Sequence, residues 1–267
     1  MKIAFVGGGN MGEAIIRGLL DKGLVGPGDI VASDVSDERR SHLGRQYGVG
    51  TDSDNRQAVG KADSIVLAVK PVALPGVARQ LAGSLKPEQV VVSIIAGASL
   101  AGLCERLNHR AVVRAMPNMP AQIGEGVTVW TITGEMGDDQ KDRARSILSA
   151  LGKEIFVSDE KYVDMATAVS GSGPGYVFMI IESFIDAAVH IGLPRDMARE
   201  LVLETISGAT HMAQASPQHP AELRNLVTSP GGTTAEGLLQ LEEGGLRALL
   251  AQAVIAAYER AKAMGKG

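Results

Sequence analysis

The sequence predicts an α/β domain with a doubly wound, mostly parallel sheet over residues 1–158, followed by an all-α domain over 159–267. Three observations predict it. Strand-length apolar runs alternate with helical patterns as far as residue 158, the order of a parallel sheet built from strand–helix–strand units. Beyond Asp159 the strand signal stops, and every later segment reads as helix. A glycine-rich turn, Gly7-Gly8-Gly9-Asn10-Met11-Gly12, follows the first strand directly and opens the first helix.

The first strand is Lys2–Val6, and Asn10–Leu20 continues as a helix because Met11, Ile15, Ile16, Leu19 and Leu20 share one stripe. The second strand, 29–33, runs into Asp34. The helix over 36–47 begins with Ser36 as N-cap and Asp37 and Glu38 in its first turn, where acids suit the helix dipole. Further strands are expected at 64–69, 89–95, 111–116, 126–132 and 153–157, with helices at 73–82, 100–107 and 138–150 between them. Ile65-Val66-Leu67-Ala68-Val69 and Val90-Val91-Val92 are unbroken apolar runs, the mark of strands covered on both faces. In the second half, helices are expected at 161–169, 174–191, 195–215, 220–227, 234–243 and 246–264. Leu246, Leu249, Leu250, Ala253, Ala257 and Ala261 form the core stripe of the last one. The run Tyr176–Ile181 is apolar on nearly every side of its helix, which then needs cover all round. One chain can hardly supply that cover from a helical half of this size. The sequence therefore predicts a homodimer through this half, or a higher oligomer built from it, with a helix buried centrally within one monomer as the alternative.

Composition narrows the partners. Hydrophobic residues are 45% and charged residues 21%, an ordinary globular balance. A net charge of −4, aromatics at 3% and no basic block argue against nucleic acid. The longest uncharged stretches, 89–104 and 165–181, are broken by Gly, Ser or Pro and are too short to span a membrane. No basic segment followed by an apolar run opens the sequence, and Cys104 is alone, so a cytoplasmic location is expected. Cys104 itself reads as a small buried thiol rather than a nucleophile.

The chemistry is bounded as much by what is missing. The five histidines, His42, His109, His190, His211 and His219, lack metal-ligand spacing, so no metal is expected. No GxSxG elbow and no GxxxxGK[ST] loop occurs. Glu182, Asp186 and His190 recur every four residues on one helix, which a solvated polar face explains. The first glycine turn, by contrast, has the strand-before and helix-after setting of a dinucleotide site. Gly7 makes the tight turn, Gly9 admits a phosphate to the backbone, and Gly12 lets helix pack on strand. A cofactor enzyme without an evident acid–base pair suits chemistry in which the cofactor performs the hard step. Hydride delivery to a C=N bond is of that kind, because an iminium carbon is already electrophilic.

Asp34 lies 22 residues beyond Gly12, close to the ~20 expected for an acid that binds the ribose of NAD. Its carboxylate accepts from the 2′-hydroxyl of NAD and repels the 2′-phosphate of NADP, so Asp34 favours NADH. Ser36, Arg39 and Arg40 open the next helix and could hold a phosphate, which keeps NADPH as the alternative.

Six segments in order resemble the pyrroline-5-carboxylate reductase family. They are Phe5–Gly12, Leu67-Ala68-Val69-Lys70-Pro71, Ser93–Gly97, Arg114–Ala121, Ser170-Gly171-Ser172-Gly173-Pro174 and Val227–Thr234. The resemblance runs from residue 1 to about 262, and its last motif is the most specific. It implies an N-terminal Rossmann domain, a helical dimerisation domain, and reduction of the cyclic imine acid 1-pyrroline-5-carboxylate to L-proline by NADPH or NADH. Carried over residue by residue, Gly9, Asn10 and Met11 would contact cofactor phosphates, and Asn55 would sit near the adenosine. Ala68, Lys70 and Pro71 would line the nicotinamide side. Ser229, Gly232, Thr233 and Thr234 would bind substrate, with Thr234 on the ring nitrogen. Two positions depart from the pattern: Met119 stands where threonine is usual, and Asp34 stands where small hydroxyl residues suit NADPH.

The residues support the last motif independently. Ser-Pro-Gly-Gly is turn chemistry leading into a helix near Thr234, whose free N–H groups could hold a carboxylate. Thr233 or Thr234 could equally cap that helix, and Asn118 could be a turn residue between prolines. Three other readings compete: a reductase of a different cyclic imine acid, a β-hydroxyacid dehydrogenase, and a non-enzymatic dinucleotide sensor. The dehydrogenase needs a lysine early in the helical domain, and Gly171–Phe178 offers none.

Overall fold

The computed structural model describes residues 1–265. Its centre is an eight-stranded sheet. The strands are β1 (Ile3–Val6), β2 (Ile30–Ser33), β3 (Gly50–Asp52), β4 (Ser64–Leu67), β5 (Val90–Ser93), β6 (Val112–Met116), β7 (Gly126–Ile132) and β8 (Gly152–Phe156). They lie in the order β3-β2-β1-β4-β5-β6-β7-β8. All neighbours pair parallel except β6 and β7, which run antiparallel.

Helices α1 (Asn10–Asp21), α2 (Asp37–Tyr47) and α6 (Asp138–Ser149) cover one face. Helices α3 (Asn55–Val59), α4 (Leu74–Leu81) and α5 (Leu100–Leu107) cover the other. The strand residues divide accordingly. Ile3 and Phe5 join Ile15, Leu19, Leu43 and Leu148 in one core, whereas Ala4 and Val6 join Val77, Leu81, Leu103 and Leu107 in the second. This alternation explains the unbroken apolar runs: every residue of β1, β4 and β5 is buried against one helix layer or the other.

The strand order reverses beside β1, where β2 lies on one side and β4 on the other. At such a switch point the loops leaving the two flanking strands diverge and open a crevice at their C-terminal ends. The glycine turn after β1 and the Ala68–Pro71 segment after β4 both leave from there.

Two elements lie outside the sequence-based expectation. β3 is three residues long, paired parallel with β2 at the sheet edge. Gly-Thr-Asp carries no apolar signal, because an edge strand with no covered face needs none. α3 is a single short turn that Asp54 caps by accepting from the Arg56 N–H at 2.8 Å. The expected helix over 161–169 is also divided: α7 (Lys161–Ala166) passes through a wide π-turn at Thr167–Gly171 before α8 (Gly173–His190). The remaining helices are α9 (Arg195–Ala215), α10 (Pro220–Leu226), α11 (Thr233–Glu243) and α12 (Leu246–Met264).

By its contacts the chain forms two units. One comprises Met1–Pro174 with the C-terminal stretch from Ala257, and the other comprises Gly175–Ala256. The helical unit covers its own apolar residues poorly. α8 buries no residue at all; Phe178 is 52% exposed, Met179 70% and Phe184 50%. The expected core stripe of α12 is likewise open in the single chain, with only Ala261 buried and Leu249 59% exposed.

Candidate functional site

The first turn has the geometry its glycines suggested. Gly7 has φ +100, and a Cβ there would lie 2.7 Å from the Ala68 carbonyl oxygen, so neither the conformation nor the space admits a side chain. Gly12 is equally constrained: a Cβ would lie 2.6 Å from the Gly7 carbonyl oxygen, which brings α1 against the end of β1. Gly9 differs from both. It is the N-cap of α1, no side chain caps that helix, and nothing stands within 4 Å of where its Cβ would be. No side chain therefore caps the leading N–H groups of α1, the arrangement that receives a phosphate at a helix N-terminus. These residues fit a dinucleotide.

Asp34 closes the turn on the β2 side. Its Oδ2 accepts from the Gly8 N–H at 2.8 Å and its Oδ1 from the Ser36 N–H at 2.9 Å. The carboxylate is thus oriented by two backbone groups and keeps lone pairs for a ribose. Ser36 is the N-cap of α2, as expected, its hydroxyl accepting from the Arg39 N–H at 3.2 Å. Arg40 Nη1 donates to the Asp34 carbonyl at 2.5 Å. Asn55 is half-buried, with Oδ1 2.7 Å from the Ser33 hydroxyl and Nδ2 donating to Gln80 at 2.7 Å. On the β4 side, Ala68 N–H donates to the Val6 carbonyl at 2.9 Å, and Lys70 stands exposed before the helical turn Pro71–Ala73. Gly7, Gly9, Asn10, Met11, Gly12, Asp34, Asn55, Ala68, Lys70 and Pro71 all lie in the sheet unit.

Beside this turn is a charged cluster that local sequence patterns did not reveal. Glu13, in the first turn of α1, accepts from Arg39 at 2.5 Å and lies 2.8 Å from both His42 Nε2 and the Tyr47 hydroxyl. Burial acts to raise the Glu13 pKa, but hydrogen bonds from His42, Arg39 and Tyr47 outweigh it and hold the carboxyl at about 2, below its ordinary 4.5. Burial and the Glu13 carboxylate push the Tyr47 hydroxyl up. Because the folded Glu13 value lies below the unfolded one, its stabilisation is whole above about pH 4.5 and is lost as pH falls towards 2. The gap between the thermal midpoints of wild type and Glu13→Gln should therefore be full at about pH 7 and narrow steadily from about pH 4.5 towards pH 2. A gap of constant size in thermal melts across that range would contradict the assignment.

The second loop, in the helical unit, repeats the loop-to-helix device. Gly231 has φ +67, and Gly232 N–H donates to the Ser229 carbonyl at 3.0 Å. Gly232 is the N-cap of α11, which again has no side-chain cap. The helix starts at Thr233, one residue earlier than expected, so neither Thr233 nor Thr234 is its cap. Both hydroxyls sit in the first turn, Thr233 exposed and Thr234 half-buried.

Other residues prove structural. Asn118 is buried, and its Oδ1 accepts from the Val127 N–H at 2.9 Å, tying the Pro117–Pro120 turn to β7. Asp186 accepts from Arg195 at 2.9 Å, and Glu182 and His190 are exposed beside it, a solvated face. Among the described residues no group of three or more His, Cys, Asp or Glu could hold a metal. Cys104 is half-buried, and burial pushes its thiol up. Among the described residues no helix is long and apolar enough to cross a membrane.

Comparison with known proteins agrees with this geometry. Residues 160–264 match the family model described as pyrroline-5-carboxylate reductase dimerisation, and residues 2–97 match that described as NADP oxidoreductase coenzyme F420-dependent. The pyrroline-5-carboxylate reductase of Pseudomonas aeruginosa is 42% identical over 97% of this chain and 95% of its own length. That of a Synechocystis strain is 38% identical over 100% of this chain and 99% of its own. Among solved structures, a pyrroline-5-carboxylate reductase from Coxiella burnetii superposes with TM-score 0.89 at 38% identity, covering 100% of this chain and 99% of that one. The Plasmodium falciparum pyrroline carboxylate reductase, solved with NADP bound, superposes with TM-score 0.91 at 33% identity, covering 99% of this chain and 98% of that one. Full-length relatives at this identity, together with two uncapped glycine turns opening helices, establish that the chain belongs to the pyrroline-5-carboxylate reductase family.

Proposed function

We propose that the protein reduces 1-pyrroline-5-carboxylate to L-proline with a reduced nicotinamide dinucleotide. The observation that carries the proposal is the pair of open helix starts, α1 after Gly9 and α11 after Gly232, in a chain of this family. When bound, the reduced nicotinamide supplies the hydride that reaches the imine carbon, C2 of the pyrroline ring, which becomes C5 of proline. The chain's residues bind and orient. Gly9, Asn10 and Met11 receive the phosphates on a turn that Gly7 and Gly12 shape, and Ala68, Lys70 and Pro71 line the nicotinamide side. Ser229, Gly232 and Thr233 hold the substrate carboxylate against the N-terminus of α11. Thr234 hydrogen-bonds the ring nitrogen and fixes which carbon faces the reductant. No side chain must abstract a proton from carbon, because the protonated imine is reduced directly to the amine.

For the cofactor we infer a preference for NADH. Asp34, held by Gly8 and Ser36, supports it by presenting negative charge where a 2′-phosphate would sit. NADPH use is the second reading, favoured by Arg40 beside the Asp34 carbonyl and by the NADP bound to the Plasmodium relative. Asp34→Ser should raise kcat/KM with NADPH relative to NADH by about tenfold, since juxtaposed like charges are costly. An unchanged ratio in steady-state assays with both cofactors would remove Asp34 from cofactor choice. The exposed apolar residues of α8 and the dimerisation match over 160–264 support a homodimer through the helical unit. The lone cysteine suits a cytoplasmic location. A non-enzymatic sensor is separated from the enzyme by one observation: NADH oxidation that depends on added imine.

A further inference from the structure

We propose that Arg39 is a positioning residue for the phosphate-binding turn, one that fixes the Gly8–Gly9 peptide for NADH and NADPH alike and does not read the 2′-phosphate. The inference rests on the dinucleotide-binding reading above. Gly8 is the one residue of the turn whose two backbone polar groups are both held by side chains from elsewhere. Its N–H donates to Asp34 Oδ2 at 2.8 Å, and its carbonyl accepts from Arg39 Nε at 2.7 Å and Nη2 at 2.5 Å. The first contact sets the peptide plane before Gly8 and the second sets the plane after it. Glycine has the widest choice of backbone conformations, so an unheld Gly8 would sample many of them.

The peptide plane gives the Arg39 contact its consequence. A trans peptide points its carbonyl and its N–H in opposite directions. With the Gly8 carbonyl drawn towards α2, the Gly9 N–H is directed away from Arg39, at the uncapped start of α1, where a Cβ on Gly9 would meet nothing within 4 Å. Arg39 thereby aims the donor on which a phosphate would land. The guanidinium is itself fixed: Glu13 Oε2 accepts from Nη2 at 2.5 Å, while His42 and Tyr47 hold the other Glu13 oxygen. A side chain committed at both Gly8 and Glu13 is poorly placed to swing towards a ribose phosphate, whereas Arg40 touches the Asp34 carbonyl directly. Preorganisation of this kind improves affinity by lowering the ordering cost of binding.

Titration calorimetry of the full chain with NADH and with NADPH tests this without turnover. Arg39→Met should weaken both dinucleotides by the same factor, about tenfold, with the KM for the imine unchanged at saturating cofactor. Glu13→Gln should act in the same direction, and the double variant should bind no more weakly than Arg39→Met alone, because Glu13 works through Arg39. Arg39→Lys keeps the charge but not the two-pronged contact, so it too should lose affinity for both dinucleotides while keeping the wild-type melting temperature. A loss confined to NADPH would make Arg39 a phosphate ligand and overturn the proposal, as would unchanged dissociation constants in both Arg39 variants. Additive losses in the double variant would overturn the link through Glu13. Wild-type protein that binds neither dinucleotide would instead overturn the functional reading beneath it, and would do so before any variant is made.

Discussion

Thr234→Ala is expected to lower kcat/KM for 1-pyrroline-5-carboxylate by about 10²–10³-fold, the range found when a single oriented hydrogen-bond group is removed from a reacting centre. The melting temperature and the affinity for dinucleotide should stay as they are. The structure separates these effects, because α11 is capped by Gly232 and not by either threonine hydroxyl, so the helix start does not depend on the side chain removed. The loss should fall on steps involving the imine, since the ring nitrogen is oriented through Thr234 in the proposed role. Wild-type kcat/KM in this variant, with proline as the product, would contradict that role.

Arg114→Met is expected to destabilise the sheet unit by about 3 kcal/mol, the lower end of what breaking a buried ion pair costs. Arg114 lies on β6 with its side chain only 6% exposed; it donates from Nη1 to Glu160 at 2.8 Å and from Nη2 to Asp164 at 2.5 Å. Glu160 also accepts from the Leu100 N–H at 2.8 Å, so one guanidinium joins β6, the start of α5 and α7. Removing it leaves two carboxylates facing each other across a buried space. Their side chains are 31% and 22% exposed, and the access to water sets the estimate at the lower end. In a chain of this size the midpoint should fall by about 6–12 °C. A fall of under about 1 °C in calorimetric melts would show that the triad contributes little.

How much of this was legible in the sequence depended on how local each feature is. The shape of the glycine turn was legible because its requirements are confined to a few residues: a φ of +100 at Gly7 and a backbone contact at Gly12 demand glycine at those positions. Asp34 was legible by spacing, since one strand and one helix fix how far it lies from the turn. Buried strands announced themselves as apolar runs. β3 did not, because an edge strand of Gly-Thr-Asp is paired by backbone alone. Nor did the antiparallel direction of β7, as Gly126–Ile132 has the same apolar character whichever way it runs. Arg39 read as one of two basic residues opening α2. That it holds Gly8, 31 residues away in the chain, is a product of how α2 packs beside α1, and no local pattern encodes it. The Ser229–Thr234 loop lay between these cases. Its turn chemistry marked a helix start to within one residue, but the roles of its hydroxyls came from the family resemblance alone.

Isotope transfer tests imine reduction most directly. Purified protein is mixed with 1-pyrroline-5-carboxylate and NADH, and in a parallel reaction NADPH, each carrying deuterium at both C4 positions of the nicotinamide, and the product is examined by mass spectrometry and NMR. The expected result is NADH oxidation only when the imine is present, one L-proline formed per NADH consumed, and the deuterium at C5. Both dinucleotides left unoxidised in the presence of the imine, or proline without label at C5, would contradict hydride transfer by this chain.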